Sequence, residues 1–181
     1  MTVRPVVIRF FGAINDTSTK ALLAAIDDKL KQGATDFTLL ISSQGGGVFQ
    51  GLSAYNYIRG VPANFTTHNY GQVDSVATVL YCAGKKRLSV PDARFLLHGL
   101  FQPLQGQFHE KQLDEHLKGL QSSSQNMANA IAVSIGKRAE EIAKAMLAGT
   151  TLNSEQAKEW GFVHEIRSEL YPTGSEIIYI Q

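Results

Sequence analysis

FTLLISSQGGGVFQGLSAYNYIRG, Phe37 to Gly60, changes character within a few residues. Phe37 to Ile41 is a short unbroken apolar run, the pattern of a buried strand. It runs into SSQGGG, Ser42 to Gly47, and Val48 to Arg59 then reads as a helix that ends at Gly60. The same order repeats on both sides. Upstream, Val6 to Phe11 reads as a strand and Asp16 to Lys31 as a helix. Its cap is Asp16, Thr17 or Ser18, Leu22, Leu23, Ile26 and Leu30 share one face, and Gly33 is its stop. Downstream come a strand near Asn64 to His68, a helix after Ser75, and short strands at Arg87 to Val90 and Arg94 to His98. Strand and helix in alternation predict an α/β fold, a largely parallel sheet covered by helices.

The second half differs. From about His109 to Ile135 a single helical pattern carries Leu113, Leu117, Leu120, Ser124, Met127, Ile131 and Ser134 on one stripe. Its middle, GLQSSSQN, is weak in helix propensity, so packing against neighbours is expected to sustain it. Helices at Arg138 to Leu147 and Ser154 to Trp160 follow, the latter closed by Gly161, and EIIYIQ reads as a final strand.

Composition narrows the function. A chain of 181 residues favours one domain, residues 1–181, and 44% hydrophobic with 18% charged residues is ordinary for a globular protein. A net charge of +1 without a basic block argues against nucleic acid or an anionic membrane as partner. No run approaches the eighteen or so apolar residues of a membrane span. MTVRPVVIRFFG is broken by Arg4, Pro5 and Arg9 and reads as a first strand rather than a signal peptide. A single cysteine, Cys82, rules out an intramolecular disulfide and fits a reducing compartment, so a cytoplasmic location is expected.

Four stretches could carry chemistry. SSQGGGVFQG lies where a phosphate loop would, but G-x-G-x-x-G fails at Gln50 and no Walker lysine follows. The glycines serve either a tight turn or a loop whose bare N–H groups face a substrate carbonyl. Neither a cofactor nor a metal is expected: no histidine pair has metal-ligand spacing, and one cysteine cannot build a zinc site. GQVDSVATVLYCAG, Gly71 to Gly84, places Ser75 at the mouth of a buried helix. There it is either an N-cap or a nucleophile, with Asp74 beside it as a cap. His98 ends the apolar strand RFLLH, so its imidazole emerges beside a loop. Serine, histidine and glycine-loop amides are the parts of an acyl-transfer site.

Together these segments resemble the Clp protease family, within the wider Clp–crotonase superfamily, from about Val6 to Ile166. SSQGGGVFQGLSAYNYI is similar to the family's N-S-P-G-G stretch and helix, and GQVDSVATVLYCAG to its G-Q-A-A-S-M-G helix. RLSVPDARFLLHG is similar to R-x-x-x-P-x-x-R-x-x-x-H. GQF at Gly106 matches the start of the long handle helix, and LNSEQAKEWGFVHEI the L-S-x-x-E-A close. The resemblance implies a Clp–crotonase (ββα superhelix) fold with a long protruding helix. It also implies a serine endopeptidase that cleaves peptides or unfolded polypeptide inside a homo-oligomeric ring. Ser75 takes the place of the nucleophile and His98 that of the base, with the N–H groups of Gly46 and Val76 as oxyanion donors. An AAA+ unfoldase is the family's partner, although the N-terminal loops that meet it are short here.

The pattern breaks at one point. The family's histidine-orienting aspartate would fall near Ala148 or Gly149, and no acid lies between Glu141 and Glu155. Loss of that acid costs about 10,000-fold in a well-measured triad. Either a polar group such as Asn153 or Thr150–Thr151 orients His98, or a distant carboxylate, Asp114 or Glu110, reaches it. The remaining alternative is a catalytically weak or silent Clp-like scaffold subunit. A crotonase-type acyl-CoA enzyme shares the fold but does not need the Ser–His pair. Gln44 replaces the family's proline, and Asp74 replaces a small residue, where its charge would oppose an oxyanion.

Overall fold

The computed structural model describes residues 5–181; residues 1–4 of the expected domain lie outside the described residues. In chain order the elements are β1 (Val6–Phe11), α1 (Asp16–Lys31), β2 (Asp36–Ser43), α2 (Val48–Gly60), β3 (Asn64–Asp74), α3 (Ala77–Cys82) and β4 (Lys86–Ser89). Then follow β5 (Arg94–Leu97), α4 (Glu110–Ile135), α5 (Ala139–Ala148), β6 (Thr150–Asn153), α6 (Ser154–Glu159), β7 (Glu165–Ile166) and β8 (Ile177–Ile180). The strands form one sheet in the order β6-β5-β3-β2-β1-β8, with β4 beside β3 and β7 beside β4. Every pairing is parallel except β5 with β6. The apolar run of β2 lies at the centre, between β1 and β3, and Leu39, Leu40 and Ile41 are wholly buried.

Some expectations are corrected. The cap of α1 is Asn15, in a reciprocal capping box with Ser18, so Ser18 is the cap's partner and not the cap. β3 runs to Asp74 instead of stopping near His68, because it serves two neighbours: Thr66–Asn69 pair with β4 and Gln72–Asp74 with β5. Its register on β2 slips between them, from Ile41↔Asn69 to Ser43↔Val73. Buried Asn69 holds the bend, accepting from Gly71 N–H at 3.0 Å and donating to the Arg94 carbonyl at 2.9 Å. This bend carries the end of β3 across to β5 and so sets where Ser75 emerges.

The stripe on α4 divides in two. Met127 and Ile131 are buried against the body, each contributing about 1.5–3 kcal/mol, which offsets the poor propensity of GLQSSSQN. Leu113 and Leu117 stay 47% and 53% exposed, so the body leaves most of the N-terminal half uncovered, while His116 meets Gln102 and Phe108 of the preceding segment. No helix of the described residues is long and apolar enough to cross a membrane.

The fold pushes the pKa values of two histidines down. His68 on β3 is wholly buried, and its Nε2 lies 3.2 Å from the Arg167 carbonyl. A carbonyl only accepts, so the proton sits on Nε2 and Nδ1 is a buried acceptor without a partner. Burial pushes the pKa of His68 down, more than the carbonyl bond raises it. The Nε2 of His164 lies 2.9 Å from Nη2 of buried Arg87. Its pKa is lowered by burial first and then by the Arg87 and Lys86 charges. Once unfolded, both rings take protons more readily, near about pH 6.5. Stability is therefore complete above that value and falls as pH drops through the lowered folded values. Thermal melts are expected to show a lower Tm at about pH 5 than at about pH 7.5, with a smaller drop in His164→Gln. Equal Tm values at the two pH values would overturn this account.

Candidate active site

Ser75 occupies the two-residue turn between β3 and α3. Its φ is +57°, the only positive φ at a non-glycine position among the described residues. Such a conformation costs about 1–3 kcal/mol and is held only by its surroundings. Here the Ser75 N–H donates to the Leu96 carbonyl of β5 at 2.8 Å, and its own carbonyl accepts from Thr78 N–H and Oγ1. A strained strand-to-helix turn of this kind pushes a serine hydroxyl out of the backbone's reach. The capping alternative is corrected: the helix starts at N-cap Val76 with no side-chain capping bond. Ser75 Oγ is left for other chemistry.

Asp74 does not cap the helix either. It ends β3, is buried, and Oδ2 accepts from Arg94 Nη2 at 2.6 Å. The expected opposition of its charge to an oxyanion is thereby countered by a guanidinium from the next strand. The other arginine of that segment, Arg87, is structural. Its guanidinium donates to the carbonyls of Gly84, Gly161 and Phe162, tying the α6–β7 turn to β4.

The glycine loop reaches the serine from β2. Gly45 and Gly46 have φ of +91° and +148°. A Cβ on Gly45 would lie 2.6 Å from Ser75 Cβ, and one on Gly46 would lie 2.1 Å from the Ile14 carbonyl oxygen. Ile14 and Gly46 form a bridge, with Gly47 N–H donating to Ile14 O at 2.8 Å. The loop is thus a tight turn, and it also presents amides beside Ser75. Among the described residues neither the Gly46 nor the Val76 N–H donates a hydrogen bond. Two uncommitted donors flanking a hydroxyl can serve a developing oxyanion.

His98 follows the end of β5, the strand beside β3. Asp74 is opposite Leu96, so Ser75 and His98 leave the same edge of neighbouring parallel strands. His98 is half-buried, its Nδ1 lies 2.7 Å from the Gly99 carbonyl, and the Phe101 ring stacks on it at 6.3 Å between centroids. A groove of about 360 Å³ is lined in part by Gly46, Phe49, Leu100, Phe101 and Leu120, neighbours of the glycine turn and of His98, and by neither Ser75 nor His98 themselves.

The expected orienting groups lie elsewhere. Asn153 is opposite Arg94, at the far end of β5 from His98, and its Oδ1 accepts from Gln156 N–H as the cap of α6. Asp114 pairs with Lys118 on the exposed half of α4, at 2.7 Å. Thr150 donates to the Ala145 carbonyl at 2.9 Å. Thr150–Asn153 is a strand that the sequence pattern does not announce, because TTLN is short and polar, as suits an edge. Cys82 is no rival nucleophile: burial pushes its thiol up to about 12. No three His, Cys, Asp or Glu side chains among the described residues are grouped to hold a metal ion.

Residues 3–169 match the protein-family model described as Clp protease. The ATP-dependent Clp protease proteolytic subunit of Carsonella ruddii (strain PV) is 27% identical over 162 residues, covering 88% of this chain and 82% of the relative. Proteolytic subunit 2 of Mycobacterium tuberculosis (strain ATCC 25618 / H37Rv) is 33% identical over 135 residues, 72% of this chain and 62% of the relative. Proteolytic subunit 1 of Corynebacterium jeikeium (strain K411) is 30% identical over 156 residues, 84% and 79% of the two chains. With a match over most of its length, and strand, glycine turn and helix arranged as described, the chain belongs to the Clp protease family.

Proposed function

We propose that this protein is a serine peptidase in which Ser75 is the nucleophile and His98 the base. The strained Ser75 turn carries the reading, since its hydroxyl is spared from capping, the Val76 N–H that follows it is uncommitted, and the glycine loop with the uncommitted Gly46 N–H packs against it at Gly45. Ser75 Oγ attacks a peptide carbonyl carbon as its proton passes to His98 Nε2. The carbonyl oxygen becomes an oxyanion held by the Gly46 and Val76 amides. The C–N bond then breaks, and Nε2 returns the proton to the leaving amine. Water, activated by the same ring, releases the acyl group. Phe49 and Phe101 line the adjoining groove and are 70% and 81% exposed, which suits an apolar substrate side chain.

A fluorophosphonate, located by peptide mass spectrometry, tests this. Wild type is expected to carry the label on Ser75, and assembled protein that stays unlabelled would overturn the reading. The second reading is a catalytically silent subunit. It is favoured by one observation: among the described residues no carboxylate is hydrogen-bonded to His98.

The exposed half of α4 is proposed to contact a neighbouring copy in a ring. Leu113 and Leu117, on a helix about 39 Å long, are apolar side chains that the body leaves uncovered. Sedimentation is expected to show an oligomer at micromolar concentration, and a monomer there would refute the ring.

A further inference from the structure

We propose that the backbone carbonyl of Gly99 orients His98, in the place where a triad carries a carboxylate. The inference rests on the reading of His98 as the base. His98 Nδ1 and Gly99 O are 2.7 Å apart. A carbonyl oxygen has no proton to give, so Nδ1 must be the N–H donor. The proton on Nδ1 leaves the lone pair on Nε2. That is the tautomer a general base needs, and it is what the orienting acid of a triad secures. The acceptor is one residue away on the same backbone, so only the histidine's own rotamers, and no second side chain, have to be ordered to make the contact. The Phe101 ring lies near-parallel to the imidazole, at an interplanar angle of 24°.

Among the described residues the Gly99 carbonyl is the hydrogen-bond partner of His98, and no side chain is bonded to its ring. In the antiparallel β5–β6 register Leu97 is opposite Thr150, and one further step brings His98 opposite Gly149. Gly149 has no side chain, and it ends α5 in the left-handed conformation with φ of 68°. A Cβ built there meets nothing within 4 Å. The hydroxyl of Thr150 and the amide of Asn153 are committed to helix ends.

A neutral carbonyl fixes the tautomer but stabilises the imidazolium less than a carboxylate does. The site would then be an active one of reduced rate rather than a dead one. During transfer the Ser75 proton arrives at Nε2, while the Nδ1 proton stays on its bond to Gly99.

The test is magic-angle-spinning NMR of the full-length protein labelled with 15N-histidine, at a pH where the rings are neutral. His98 is assigned by difference from His98→Gln. The expected spectrum has a protonated Nδ1 and a bare Nε2 at His98. It is expected to persist in Thr150→Val, Thr151→Val and Asn153→Ala, whose fluorophosphonate rates stay within about threefold of wild type. A proton on Nε2 would overturn the assignment even if Ser75 takes the label. So would loss of the Nδ1 proton in any of the three variants. The Nδ1–H tautomer together with an unlabelled Ser75 supports the Gly99 assignment and rejects the catalytic reading, so the two failures are distinguishable.

Discussion

Ser75→Ala is expected to abolish fluorophosphonate labelling and to lower peptide hydrolysis by at least about 100-fold, the loss left to a serine–histidine pair that works without a carboxylate, a barrier increase of about 3 kcal/mol or more. Its Tm is expected to stay within about 2 °C of wild type. The two halves of this expectation separate nucleophile from cap. A capping serine contributes about 1 kcal/mol, so its loss would lower Tm while leaving chemistry elsewhere untouched. In this fold α3 starts at Val76 without a side-chain capping bond, so no such stability is there to lose. His98→Ala should lose nearly as much activity. The double variant should lose little more than either alone, because the two groups act as one unit. A Ser75→Ala protein that melts several degrees lower and hydrolyses peptide as before would return Ser75 to a structural role.

Gly45→Ala is the second large effect, and it strikes stability and activity together. The new Cβ would lie 2.6 Å from Ser75 Cβ and 2.8 Å from the Asp74 carbonyl oxygen, on a backbone with φ of +91°. The strained φ costs about 1–3 kcal/mol, and overpacking costs a similar amount. Together they should lower Tm by about 5–15 °C. Relief of the clash must move Ser75 or the loop, and a displacement of about 1 Å near reacting groups costs on the order of 100-fold in rate. Gly60→Ala is the control, since a Cβ there meets open space at the end of α2, and a change below about 0.5 kcal/mol is expected. Thermal melts and labelling rates of the two variants decide it. Equal melting and labelling by Gly45→Ala and wild type would mean that the loop does not press on the serine.

Much of the frame was legible in the chain because burial writes itself as periodicity. The buried run of β2, the amphipathic α1 and the glycines that end helices lie close to where the pattern places them. Less legible were elements whose residues answer to two neighbours. β3 changes partner midway around buried Asn69, so its second half, NYGQVD, shows no apolar period. β6 and β7 are short edge pieces that exist only because β5 and β4 offer them a ladder. The stripe on α4 is continuous in sequence, yet the body covers only half of it.

The site divides in the same way. Residue types and order bring serine, histidine and glycine loop into view, since side-chain chemistry is carried one residue at a time. What that chemistry can do depends on distances between segments far apart in the chain. The left-handed Ser75, the pairing of Asp74 with Arg94 and the capping duty of Asn153 arise from contacts across strands. The acceptor for His98 is a main-chain carbonyl, which every residue carries and which therefore leaves no mark in a sequence. By itself the sequence determined the α/β order and the candidates for chemistry. Only the tertiary structure decided which of them meet and which group faces the imidazole, because hydrogen bonds are set by geometry that side-chain identity does not encode.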